Sequence, residues 1–236
     1  MSYQSYKGIS YQAAWDLQTA LHESLKQKKL AWRASPSVDK GRQKNHLLFC
    51  EHNHVYTLGK SGSTDHLLLD EGELEQGAME FFKINRGGDI TYHGPGQITG
   101  YPIFDLDEFY TDVHRYVREL EECIIQLLAS YSIIGARIEG FTGVWIVNEG
   151  HLPKRKICAI GVHLSRWVTM HGFALNVNTD LSYFDNIIPC GIDDKNKVVT
   201  SMANEIGEKI NQEEVKSRLK RIFAKVFNFE YIDNIE

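Results

Sequence analysis

Apolar residues recur at helical spacing in three stretches of the chain. Ala14, Leu17, Leu21 and Leu25 fall on one face of a first helix, and Val113, Val117, Leu120, Ile124 and Leu128 on one face of a second. The third carries Val215, Leu219, Ile222, Phe223 and Val226. Asn211 stands ahead of Glu213 and Glu214, a cap followed by acidic residues where helical N–H groups lack partners. Between the helices lie strand-like runs. Leu47-Leu-Phe-Cys50 continues toward Val55-Tyr-Thr-Leu58, Gly143-Val-Trp-Ile-Val147 precedes an Asn-Glu-Gly turn, and residues 157–164 and 173–177 follow. Several strands come without a helix between them, so a strict βαβ repeat fails. The pattern predicts an α/β (α+β) fold, a mixed β-sheet flanked by helices. Residues 34–45 are polar and read as a surface loop rather than a boundary, so one domain over residues 1–236 is expected.

Composition narrows the function. With 236 residues and 42% hydrophobic content, the chain can bury a core without disulfide or metal staples. A net charge of −5 argues against broad nucleic-acid binding, which needs a dominant basic field. The N-terminus lacks a basic head with an apolar run behind it, and the most apolar window, 123–136, is interrupted by Gln126. A cytoplasmic protein with no membrane partner is expected. There, the four cysteines (Cys50, Cys123, Cys158 and Cys190) should be thiols, and none forms a CxxC pair.

The densest motif is Arg86-Gly-Gly-Asp-Ile-Thr-Tyr-His-Gly-Pro-Gly-Gln97, continuing to Gly100-Tyr-Pro-Ile103. Its glycines let a ligand approach main-chain N–H groups, although composition alone is equally compatible with a tight turn. Two nucleotide motifs fail. A dinucleotide fingerprint from Gly94 has Thr99 where its last glycine belongs, and a phosphate loop ending in Gly59-Lys60-Ser61 has His54 where its first belongs. Cys50, His52 and His54 alternate along one strand face, but no fourth ligand is spaced nearby, so the rim of a site is favoured over a metal centre. Cys190, between Pro189 and Gly191, belongs on a turn that can present a thiol to a cleft. Acting as a nucleophile, it needs a base or cation beside it. Lys156 and the imidazoles of His93, His163 and His171 are all available, and spacing does not choose among them.

Four ordered blocks then match one family. They are the Arg86–Gln97 motif with Tyr101-Pro-Ile103; Lys156-Ile-Cys-Ala-Ile-Gly161; Ser165-Arg-Trp-Val-Thr169 with His171-Gly-Phe-Ala-Leu-Asn-Val-Asn178; and Pro189-Cys-Gly-Ile192 with Val199-Thr-Ser201. Over residues 47–202 the chain resembles the bacterial lipoyl(octanoyl) transferases, of the biotin and lipoate protein ligase superfamily. The resemblance implies that an octanoyl group moves from octanoyl-acyl carrier protein to a lysine of lipoyl domains, in 2-oxoacid dehydrogenase complexes and the glycine-cleavage H protein. It implies a monomer with no cofactor. It makes Cys190 the acyl-thioester nucleophile and Lys156 its proton-handling partner. Substrate contacts fall on Arg86, Gly87, Gly88, Asp89, Ile90, Thr91, Tyr92 and His93; on Ala159, Ile160 and Gly161; and on Gly172, Phe173 and Ala174. One departure is Cys158, where the family often has Ala. The competing readings are an ATP-dependent lipoate or biotin ligase, a lipoyl-domain amidotransferase, and an acyl-binding module without catalysis.

Overall fold

The computed structural model describes residues 1–35, 44–147, 153–188 and 197–232. Its large sheet holds β1 (Ser2–Ile9), β2 (His46–His52), β6 (Gln97–Ile103), β10 (Val168–Asn176), β9 (Lys154–Ser165), β8 (Phe141–Ile146) and β7 (Gly135–Ile138), in that order, with β11 (Lys197–Val199) beside β9. The β1–β2 and β9–β11 pairs are parallel and the other neighbours antiparallel, giving the mixed sheet that the sequence pattern predicts. A small second sheet orders β4 (Glu80–Lys83), β3 (Val55–Leu58) and β5 (Ile90–His93).

Side-chain alternation explains the layers. In β2, Leu47 and Phe49 face one way and Leu48 and Cys50 the other, and all four are buried. The first pair joins a core with α3 (Val113–Ala129) and α5 (Gln212–Val226), and the second joins Ala14 and Leu25 of α1 (Tyr11–Ala34). Helices thus cover both faces of the sheet. The three amphipathic helices stand where the periodicity puts them, and Asn211 caps α5 by accepting from the N–H groups of Glu213 and Glu214. Two short helices, α2 (Glu71–Gln76) and α4 (Met202–Ile206), complete the set.

Three expectations change. The run from Leu47 to Leu58 is two strands in two sheets, broken after His52. This break separates the alternating Cys50, His52 and His54. His52 bonds Tyr101 of β6, whereas His54 bonds Tyr92 of β5 and stacks on Tyr183. The glycine-rich motif is not one loop either: it supplies β5 and β6, joined through Gly94, Pro95 and Gly96. Polar residues in β6 masked the strand pattern because they are paired internally. Thr99 donates to the Cys50 carbonyl, and Gln97 donates to Asn176 and to the Tyr92 carbonyl. The predicted loop at 34–45 and the turn at 148–150 fall largely or wholly outside the described residues.

Candidate active site

A pocket opens between the two sheets. Ile90, Thr91 and His93 of β5 form one wall, and Lys156 and Cys158 through Gly161 of β9 face residues 171–174 and Asn176 of β10. Arg86, Gly88, Gln97, Tyr101, Tyr11, Phe184 and Val199 complete it. Of the residues implicated by resemblance, Gly87, Asp89 and Tyr92 lie behind the lining and support it, and Cys190 lies outside the described residues. The others converge here.

Strand pairing explains why residues far apart in sequence meet. In the β9–β10 ladder Gly161 stands opposite Gly172, Ile160 opposite Phe173 and Ala159 opposite Ala174. At Gly172 a Cβ would lie 2.2 Å from the Gly100 carbonyl oxygen, and at Gly161 it would lie 2.7 Å from that of Gly87. Only glycine permits such close backbone approach. The Arg86 segment is tied to β9 by the Gly87 N–H, which donates to the Val162 carbonyl at 2.9 Å. The Gly59-Lys60-Ser61 stretch holds it from behind. Its N–H groups donate to the carbonyls of Asp89, Arg86 and Gly88, so they serve the loop rather than a phosphate. Asp89 accepts from the Ile90 N–H at 2.7 Å and pairs with His66 at 2.6 Å.

One side of the pocket is a buried polar wall. Arg86 donates through Nη2 to the Thr57 carbonyl at 2.6 Å and to its hydroxyl at 3.0 Å. Thr57 in turn donates to His93 Nε2, and His93 Nδ1 donates to Gln97 Oε1 at 2.9 Å. His52 Nδ1 donates to the Ile9 carbonyl and Nε2 accepts from the Tyr101 hydroxyl at 2.7 Å. His171 donates to Asn85 Oδ1, and its other nitrogen is buried without a partner among the described residues. Burial disfavours the charged imidazolium, pushing His93 and His171 down to about 3 and His52 to about 4. Tyr11 stacks on the His93 ring at 5.9 Å, and burial raises its hydroxyl above the ordinary phenol range.

The opposite side carries Lys156, half-buried on β9. Its carbonyl accepts from the Thr200 N–H, and β11 runs beside it with Val199 as its partner. Cys158 is fully buried, and burial pushes its thiol up, which leaves it protonated and unreactive as a nucleophile. The neighbouring Arg155 is held by both oxygens of Glu205, at 2.8 and 3.0 Å.

Residues 10–224 match the family described as the lipoyl protein ligase A/B catalytic domain. An octanoyltransferase of Cytophaga hutchinsonii is 54% identical over 226 residues, covering 96% of this chain and 91% of that protein. One from Flavobacterium psychrophilum is 57% identical over 219 residues, covering 92% of each. This chain belongs to the octanoyltransferase family. A bi-partite lipoate protein ligase of Thermoplasma acidophilum shares the fold at 15% identity, with a TM-score of 0.68 over 99% of this chain and 87% of that one. A lipoate-protein ligase A bound with ATP gives 0.64 at 15% identity, covering 99% and 90%.

Two lining residues of this family member carried no signal in the sequence. Tyr11 opens α1, where it reads as an ordinary apolar helix position, and Phe184 sits in a short 3₁₀ segment without a motif. Asn176 and Val199 lay inside the matched blocks, but no reading made them pocket walls; His171, one of the possible partners of Cys190, does line the pocket.

Proposed function

We propose that the protein transfers the octanoyl group of octanoyl-acyl carrier protein to a lysine of lipoyl domains, through a thioester on Cys190 with Lys156 as proton carrier. Membership of the octanoyltransferase family makes it an acyltransferase of protein lipoylation. One observation carries the residue assignment. Phe184, before Cys190, and Val199, after it, both line the pocket that holds Lys156, so described residues on both sides of the thiol in sequence reach this site. The segment leading in is anchored. Tyr183 stacks on Tyr92 at 4.9 Å, Tyr56 donates to the Tyr183 carbonyl, and the Ile188 N–H donates to the His66 carbonyl.

The chemistry follows from these groups. A free thiol titrates near pH 8.5, and a neighbouring ammonium raises its thiolate fraction. The thiolate attacks the donor carbonyl, a C–S bond forms to Cys190, and the C–S bond to the carrier breaks. The departing carrier thiolate takes a proton from Lys156. The neutral acceptor amine then attacks the octanoyl-enzyme; the amide C–N bond forms as the C–S bond to Cys190 breaks, and the amine's proton passes to Lys156, which restores the thiolate and the ammonium. The donor is already a thioester, so no nucleotide is consumed. Ile90, Ile160, Phe173 and Ala174 give the acyl chain apolar cover, at roughly 0.8 kcal/mol per buried CH₂. The protein acts as a single-domain monomer in the cytoplasm, with 2-oxoacid dehydrogenase and glycine-cleavage H lipoyl domains as acceptors.

Intact-mass analysis after mixing with octanoyl-acyl carrier protein, without nucleotide, tests this. The expected gain is one octanoyl group mapped to Cys190 and absent in Cys190→Ser. An adduct retained in that variant would overturn the nucleophile assignment. Pyrophosphate release from free octanoate and ATP would favour a ligase instead.

A further inference from the structure

The seat of Lys156 is built by a strand that forms no wall of the pocket. Trp145 of β8 pairs with Lys156 across the β8–β9 ladder, just after the register slips between Val144 and Trp145. Lys156 Nζ stands 5.1 Å from the centroid of the Trp145 ring, within reach of a cation–π contact. That ring is fully buried, its edge set against Phe141 at 6.2 Å and its Nε1 donating to the Phe141 carbonyl. Beside it, Gly143 adopts φ +117° and leaves a notch. A Cβ there would lie 2.5 Å from the Cys158 carbonyl oxygen and 2.9 Å from Lys156 Cε. The notch is fixed from beneath. The Gly143 N–H donates to Oε1 of Glu121 at 3.0 Å, and Glu121 is a fully buried carboxylate on α3. Its Oε2 accepts from Arg118 at 2.7 Å and from Arg137 at 3.0 Å.

A lysine ammonium rides on a flexible four-carbon stem, and a proton carrier must stay within hydrogen-bond reach of the reacting groups. Here the notch at Gly143 takes the end of the stem, and the indole face takes the charge.

We propose that β8 is the positioning element of the transfer site, with Trp145 and Gly143, locked by Glu121, holding the Lys156 ammonium at the pocket. This rests on the reading of Lys156 as proton carrier. None of the three residues lines the pocket. Trp145 acts through Lys156 alone.

A double-mutant cycle tests it, with the single-turnover rate of octanoyl-enzyme formation and the melting temperature followed for each protein. Trp145→Leu is expected to slow the wild-type background about 3- to 30-fold, with KM for the carrier within about twofold. Trp145→Phe, which keeps an aromatic face, should recover most of that rate. In the Lys156→Ala background the same changes should alter the rate less than about twofold. An equal loss in both backgrounds, or a Phe variant as slow as the Leu variant, would overturn the proposal. Should Trp145→Leu fail to fold, Trp145→Phe carries the cycle, with a smaller loss that must still vanish without Lys156. A wild-type protein that forms no octanoyl adduct would instead remove the reading on which the proposal stands, and the proposal with it.

Discussion

Two walls of one pocket use ionisable side chains in opposite ways. On the β5 side, His93 has both ring nitrogens engaged, and so has His52 just behind the lining. A ring that donates at one nitrogen and accepts at the other is fixed in a neutral tautomer, and burial reinforces that choice. On the β9 side, Lys156 is half-buried with its Nζ against an indole face, and the buried thiol of Cys158, pushed up by burial, follows on the strand. The first wall is an arrangement that resists gaining protons. The second carries the amine to which we assign proton exchange, so the proposed roles follow how many partners each group has rather than whether it can titrate.

The largest effect should come from the exchanging wall. Lys156→Ala is expected to slow octanoyl transfer about 10²- to 10⁴-fold in kcat with the melting temperature nearly unchanged, as rate and thermal-melt assays would show. A variant that melts far below wild type would mean the residue is structural and the contrast false. Next, Gly172→Ala drives a Cβ against the Gly100 carbonyl oxygen. A stability loss of about 1–3 kcal/mol is expected in denaturant titration, with impaired acyl binding.

The neutral wall makes a pH prediction. His52, His93 and His171 titrate lower in the folded chain than the ordinary value of about 6.5. Below that value the unfolded chain takes up protons that the folded chain refuses. Their stabilising contribution is thus complete above about pH 6.5 and drains away as pH falls toward 3–4. Stability should decline between pH 6.5 and 5, and His93→Gln should flatten the slope by about 1 kcal/mol per pH unit. A variant with the wild-type slope would show that the ring titrates normally. The smallest effect belongs to Asp89→Asn. The pair with His66 is partly exposed, so less than about 1 kcal/mol of stability and a modest change in activity are expected.

How much of this was legible beforehand depended on whether the signal was local. The helices around Leu120 and Phe223 announced themselves because each buries a stripe at 3.6-residue spacing. Strand β6 did not, because its buried faces carry Gln97 and Thr99, whose polarity makes sense only once their partners on β2 and β10 are in place. The glycine-rich motif stood out by composition and Lys156 as one of several possible partners of Cys190, and resemblance to a family then gave each a role. Their convergence needed the β9–β10 register. Trp145 looked like any apolar strand residue, and its bearing on Lys156 depends on a register shift in the β8–β9 ladder that no local pattern marks. Tyr11 reaches the pocket only because β1 delivers the start of α1 to the edge of β2.

The paired glycines of β9 and β10 have a consequence for how this protein can change over evolutionary time. Both positions already hold the smallest residue available, so every single-codon drift there subtracts room and none adds it. A side chain at either would first meet a neighbouring carbonyl oxygen, so a change of cargo, narrower or wider, has to begin somewhere else.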